Sequence, residues 1–244
     1  MDFLKDNTKP LYFKCLRAAF GSAIIGMIYS IVDMAMAGQY HGPAGSAALA
    51  VASPIWNMVY SLGLLMGIGG SVLFSNLRGQ SAENRDASNE YFTSATVGVS
   101  ILALLVWILV GFFDKELLTL FGASESIMPL ARSYVRPIKY VIPLFMLNQM
   151  LSAFLRNDGN PGLAAKAVLF GGLFNVFGDY FFVFVLDMGI YGAGLATAVG
   201  SAFTFLILLA HFFSKKNTLR FVRPVKLFSY LWKICVTGFS TFFY

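Results

Sequence analysis

The 244-residue chain is 57% hydrophobic and 12% charged, with a mean hydropathy of +0.70, whereas a soluble domain carries about 25% charged residues. So few charges cannot cover a globular surface, which excludes an ordinary soluble domain. The net charge of +6 gains meaning only from where the basic residues fall.

Six apolar runs follow one another, at about 15–38, 49–76, 91–113, 127–154, 164–186 and 190–213. Each is long enough to cross the roughly 30 Å hydrocarbon core of a bilayer as a helix. A seventh run begins near Tyr230. The expected class is therefore an all-α integral membrane protein: a six-helix transmembrane lobe plus the start of a seventh helix. A cleaved leader is the alternative for the first run, since Lys5, Lys9, Lys14 and Arg17 precede it and Ala35-Met36-Ala37 is cleavage-like. The run is long, holds Asp33 and is followed by five more, so a membrane span is expected.

Fourteen of the 18 Lys and Arg residues lie at the N-terminus, after spans two, four and six, or just inside the seventh run. Lys115 alone occupies the opposite loops, and Arg132, Arg136 and Lys139 lie near the other end of span four, where a solvated extension is expected. The positive-inside rule puts the N-terminus in the cytoplasm of a bacterial-type inner membrane. The basic charge is thus a topology signal, and no nucleic-acid partner is expected. Cys15 and Cys235 fall on the cytoplasmic side, where free buried thiols are expected.

Residues 214–229 are basic, contain Pro224 and separate the six spans from the seventh run. The expected domains are a lobe over 1–213, a linker over 214–229 and the beginning of a second lobe over 230–244. Glycines 63, 67, 69 and 70 in span two, and 189, 192, 194 and 200 in span six, suit close helix packing in lipid. A phosphate loop at Gly67–Gly70 would need a following Lys, which is missing. His41 and His211 lack metal-ligand spacing, and no nucleophile–base arrangement suggests an enzyme.

The most costly residue in this sequence is Asp179, set among phenylalanines in GGLFNVFGDYFFVFVLDMG. An Asp at a bilayer centre costs roughly 2.5–3.5 kcal/mol on insertion scales and marks a functional site by default. Asn175 lies one turn earlier on the same helix face. Asp33 is the other carboxylate inside an apolar run, and Thr197 in GLATAVG offers a hydroxyl. These four could converge on one interior pocket, where two carboxylates share a proton or their oxygens, with amide and hydroxyl, hold a hard cation such as Na⁺. Phe174, Phe177 and their neighbours are expected to keep the carboxylates poorly solvated. Tyr29, Asn57, Asn148, Gln149 and Phe174 are further candidates for cavity lining. Asp187 is expected to sit at the outer surface.

At these residues the chain resembles the N-terminal half of the multidrug and toxin extrusion (MATE) transporters. The resemblance rests on VDMAMAGQYHGPAGSAALAVASPIW (32–56), GLLMGIGGSVLFSNLRGQ (63–80) and FLRNDGNPGLAAKA (154–167), then FNVFGDYFFVF and GIYGAGLATAVG. It implies half of a twelve-helix, two-lobe transporter that exports bulky, often cationic compounds in exchange for H⁺ or Na⁺. It also implies a cation site in the N-terminal lobe, carried here by Asp33, Asn175, Asp179 and Thr197. The partners implied are membrane lipid, small organic substrates and a C-terminal lobe, with no cofactor beyond the coupling ion. A proline that part of this branch carries early in helix one has no counterpart between Ala18 and Gly26. Two alternatives stand beside the exporter: a relative that flips lipid-linked oligosaccharides, and a transport-inactive fragment. The first would call for a cationic cavity, and spans one, two and five carry no Lys or Arg in their interiors.

Overall fold

The computed structural model describes residues 8–80 and 85–239; every regular element among them is helical, with no strand. Lys5 and the chain beyond residue 239 lie outside the described residues, as does the Cys15 side chain. Among the described residues, nine α-helices follow in order: α1 (Thr8–His41), α2 (Pro43–Gln80), α3 (Arg85–Phe112), α4 (Asp114–Leu120), α5 (Met128–Lys139), α6 (Ile142–Asn157), α7 (Pro161–Asp179), α8 (Gly189–Leu209) and α9 (Leu227–Gly238). A π-helical turn, Tyr180–Val185, continues α7, and a 3-10 turn, Ala210–Phe213, continues α8.

Four described helices are long and apolar enough to cross a membrane: Pro43–Gln80, Arg85–Phe112, Pro161–Val185 and Gly189–Phe213. The run at 127–154 reads as one span in sequence but is broken. α5 and α6 meet at a 59° bend. The cause is local: Pro137 ends α5 and Pro143 opens α6, each lacking an N–H and crowding the preceding turn. α1, 34 residues long, exposes Phe20, Ile24, Met27, Ile31 and Met34. Such a large apolar stripe suits hydrocarbon rather than water.

Punctuation between helices follows residue chemistry. Gly42 alone separates α1 from α2 and has φ +64°, a left-handed geometry that costs an L side chain about 1–2 kcal/mol. Within Asn157-Asp158-Gly159-Asn160-Pro161, Gly159 takes φ +79° and Pro161 opens α7, the usual glycine-stop and proline-start pair.

α2 is the hub, packing against α1, α3, α5, α6 and α9, while α8 packs against α1, α5, α6 and α7. The glycines permit this. A Cβ on Gly67 would lie 2.9 Å from Met150 Cα of α6, and one on Gly194 would lie 2.2 Å from the Tyr134 carbonyl oxygen of α5. Small residues let helix backbones approach where lipid provides no hydrophobic drive.

At one end of α3, an ion-pair and hydrogen-bond network ties the segment after the 3-10 turn onto the bundle. Arg78 donates to Asp158 Oδ1 (3.0 Å) and to the Thr218 carbonyl (3.0 Å), and Thr218 N donates to Asp158 Oδ2 (2.9 Å). His211, fully buried, lies 2.8 Å from the same Oδ2. Arg220 N, Val222 N and Val225 N reach Asn89, Thr93 and Glu90 of α3. The basic 214–229 segment is thus laid along α3. Cys235 is free but half-buried rather than buried.

At the far end of α3, Asp114 accepts from Arg132 Nε (3.0 Å) and lies 2.8 Å from Lys139 Nζ. The stripe at Arg132 and Lys139 is therefore paired, not merely solvated. Burial by itself would raise the Asp114 pKa; the hydrogen bonds and charges of Arg132 and Lys139 outweigh it and hold the carboxyl below its ordinary range. A lowered pKa gives stability that is present at neutral pH and lost as pH falls through the folded-state value. Thermal melting across pH should therefore show wild type losing more stability than Asp114→Asn below about pH 4. In a separate test, Gly67→Val should lower the melting midpoint by overpacking the α2–α6 contact, an effect of about 1–3 kcal/mol. An unchanged midpoint would show that the contact yields freely.

Candidate functional site

Asp33, Asn175, Asp179 and Thr197, drawn from three helices, are all buried and meet in one place. α7 packs most extensively on α8 and also on α1, which brings these helices' polar residues together. The four-residue spacing of Asn175 and Asp179 stacks them on the inward face of α7.

With its amide nitrogen turned toward Asp33, Asn175 donates to Oδ1 at 3.1 Å. Its oxygen then lies 3.3 Å from both the backbone N and the hydroxyl of Thr197. This orientation is assigned by matching donor to acceptor; the opposite one would press the amide oxygen against a carboxylate. The Thr197 hydroxyl is 3.4 Å from Asp33 Oδ2 and 3.1 Å from the Ala193 carbonyl, and its single hydrogen serves one of them at a time.

Asp179 differs from its neighbours. It is fully buried, and neither of its carboxyl oxygens has a hydrogen-bond donor among the described residues. What it faces is the Asp33 carboxyl group. Two ionised carboxylates in contact, away from water, repel strongly. A proton or a monovalent cation between them removes that cost. Directly after Asp179 the helix widens into the π turn, with Leu186 N donating to Phe181 O at 2.9 Å. Such turns favour functional sites.

Two tyrosines complete the surroundings. Tyr29 lies one turn before Asp33 on α1. Tyr134, buried on α5, packs toward α8 near Thr197. The sequence reading missed Tyr134, because it sits between Arg132 and Arg136 in a polar stretch that reads as solvated. Its signal is the spacing, which turns it roughly half a helix circumference away from those arginines.

Among the lining candidates, Tyr29, Asn148 and Gln149 border a cavity of ≈ 70 Å³ beside Asn175 and Thr197. Asn148 Nδ2 donates to the Ser201 carbonyl at 2.8 Å. Asn57 lies on the exposed side of α2, outside this cavity. Phe174 also lies outside it, stacking on Phe203 with centroids 5.6 Å apart. The expectation that Phe174 and Phe177 wall off the carboxylates is corrected: Phe177 is 67% exposed. The 100° step per residue turns it away from Asn175 and Asp179. Close approach of Gly178 to Ala196 of α8 shields the α7–α8 seam instead. A share of about 30 Å³ per liquid water makes the cavity large enough for a water or two, and too small for a drug-sized ligand. No cluster of three His, Cys, Asp or Glu side chains that could hold a metal occurs among the described residues.

Aromatic contacts and a hydrogen bond close one end of this region. Tyr40 donates to Asp187, at a φ of +53°, and packs edge-on to His41 and Phe184. His41 Nε2 accepts from Ile190 N at 3.1 Å.

Packed apolar helices, four of the described ones long enough to cross a membrane, around two buried carboxyl groups are the architecture of a multi-pass membrane protein. The MatE family model matches residues 18–181, and the chain belongs to that family. It is 26% identical over 226 residues to a multidrug export protein, MepA, of Staphylococcus saprophyticus, covering 90% of this chain and 49% of the relative. It is 24% identical over 216 residues to a probable multidrug resistance protein, YoeA, of Bacillus subtilis, covering 84% and 45%. The chain thus spans about half the length of the curated relatives it matches. Among solved structures, a crystal structure of a MATE protein in a bent conformation superposes with a TM-score of 0.88 at 20% identity, over 98% of this chain and 53% of that one.

The hydrogen-bond pattern predicts opposite stability effects for two neighbours. Asn175→Leu should lower the detergent melting midpoint by about 1–3 kcal/mol equivalent, because it strips Asp33 of a buried donor. Asp179→Asn should hold or raise it, because the amide supplies a donor to Asp33. Equal losses in both variants would contradict the assigned pattern.

Proposed function

We propose that this chain is the N-terminal lobe of a cation-coupled exporter of drugs or other bulky organic compounds, and that Asp33 and Asp179 take up the driving ion. The observation that carries the reading is the fully buried Asp179 carboxyl, without a donor and facing a second carboxyl. Such a pair favours uptake of one H⁺ or Na⁺. The relatives' names, multidrug export protein and probable multidrug resistance protein, support drugs as the cargo.

In this reading Asn175 and Thr197 position Asp33, and Tyr29 and Tyr134 border the pair. Ion uptake changes the site's charge by one, which shifts the balance between two arrangements of α1, α7 and α8. The π turn after Asp179 is the natural place for α7 to adjust. The cargo binds elsewhere, between this lobe and a second one, since the cavity beside the pair is far below the ≈ 300 Å³ of ordinary ligand pockets. Residues 214–229 link the lobes in the cytoplasm, and the chain from residue 230 begins the second. The N-terminus is cytoplasmic and the membrane is the inner one, from the distribution of Lys and Arg.

The test is dye efflux from vesicles containing the protein expressed from its complete reading frame, driven by an H⁺ gradient or a Na⁺ gradient in turn. Wild type should export with one gradient, and Asp179→Asn should lose at least tenfold in rate while inserting normally. Undiminished gradient-driven efflux in Asp179→Asn would remove the carboxylate pair from the mechanism.

A further inference from the structure

At the end of α3 remote from the Arg78–Asp158 network, a cavity of ≈ 610 Å³ opens between α3, α4 and α5. It is ligand-sized and separate from the carboxylate pair. Arg132, Arg136 and Lys139 line it, with Asp114 as its only acidic lining residue. Asp114 is already engaged: Arg132 Nε and Nη2 lie 3.0 and 3.3 Å from its two oxygens, and Lys139 Nζ lies 2.8 Å away. It sits buried in the floor and fixes two cations in place. Glu116 lies near Arg132 but does not line the cavity. Arg136, exposed at the rim, has no hydrogen bond or ion pair among the described residues. Its guanidinium, the remaining N–H groups of Arg132 and Lys139, and the Ser133 hydroxyl are donors facing one space.

The rest of the wall is apolar and aromatic. Trp107, Ile108 and Phe112 line it from α3 and Tyr140 from the α5–α6 bend. Phe112 and Tyr140 are 78% and 75% exposed, and α3 beside them presents Ile101, Leu104 and Leu105 outward. A run of exposed apolar side chains leading to Trp and Tyr marks a helix face rising through lipid to the headgroup level. A basic pocket at that level selects an anion that carries an apolar tail.

We propose that this cavity binds an anionic phospholipid, with the phosphate of its headgroup on Arg132, Arg136 and Lys139 and its acyl chains along the exposed face of α3. Guanidinium groups match phosphate oxygens through paired N–H donors. An organic cation is repelled by the three basic groups. A free phosphate ion makes no use of the apolar wall.

The experiment is native mass spectrometry of the complete detergent-purified protein with dioleoyl phosphatidylglycerol, dioleoyl phosphatidylcholine or inorganic phosphate, for wild type and Arg136→Gln. A basic residue at a membrane surface is worth about 1 kcal/mol toward an anionic lipid, or about a fivefold change in affinity. Wild type should retain phosphatidylglycerol over phosphatidylcholine. Arg136→Gln should lose about fivefold of that preference, and Arg136→Lys should recover part of it. Arg136 is exposed and stands outside the Asp114 ion pairs, so the variant reports on binding. Equal retention of the two lipids, or an unchanged preference in Arg136→Gln, would overturn the proposal. Inorganic phosphate displacing phosphatidylglycerol at equal concentration would show a simple anion site and also overturn it.

Discussion

Two carboxyl groups placed face to face inside a helical membrane bundle constrain everything around them. Asp33 has an amide and a hydroxyl for support, and Asp179 has neither. In a medium of low dielectric an unpartnered carboxylate costs several kcal/mol, so the ground state must hold a proton or cation, or stay strained. The close glycine and alanine contacts between helices pack the seam beside them tightly. Gly178 against Ala196, and Gly194 against the Tyr134 carbonyl, belong to the site as much as its polar atoms do.

The two ends of α3 solve different problems with similar chemistry. At one end Asp158 gathers Arg78, His211 and Thr218, and backbone N–H groups of residues 220–225 continue the attachment along α3. Side chains there recruit a segment without secondary structure and satisfy its backbone polar groups. At the other end Asp114 gathers Arg132 and Lys139 and closes nothing. It holds cations beside an open cavity. One carboxylate finishes the fold, and the other prepares a surface.

Much of this was readable from residue chemistry. Apolar runs of membrane length located the helices, and the rarity of intramembrane carboxylates singled out Asp33 and Asp179. The i, i+4 spacing placed Asn175 beside Asp179. Other features depend on contacts remote in sequence. The 59° bend joins two helices that hydropathy merges, although Pro137 and Pro143 signal it once both are weighed against the ladder bonds they remove. Nothing in Tyr180–Val185 announces a π turn, because a wider register is imposed by packing rather than by propensity. Phe177 looked like a wall for Asp179 because proximity in sequence was taken for proximity on a helix. Tyr134 was overlooked for the converse reason, lying inward from a charged stretch.

The position of Tyr134 gives α5 a double character. Twelve residues long, this helix sends Arg132, Arg136 and Lys139 toward an open cavity and Tyr134 toward the buried carboxylates from its opposite side. Short helices do not flex appreciably along their length, and the bend at Tyr140 sets this one at 59° to α6. Any roll of α5 that draws its arginines outward therefore shifts the tyrosine hydroxyl inside by a comparable arc. A plank resting on a knife-edge behaves in this way: load on one edge is displacement at the other.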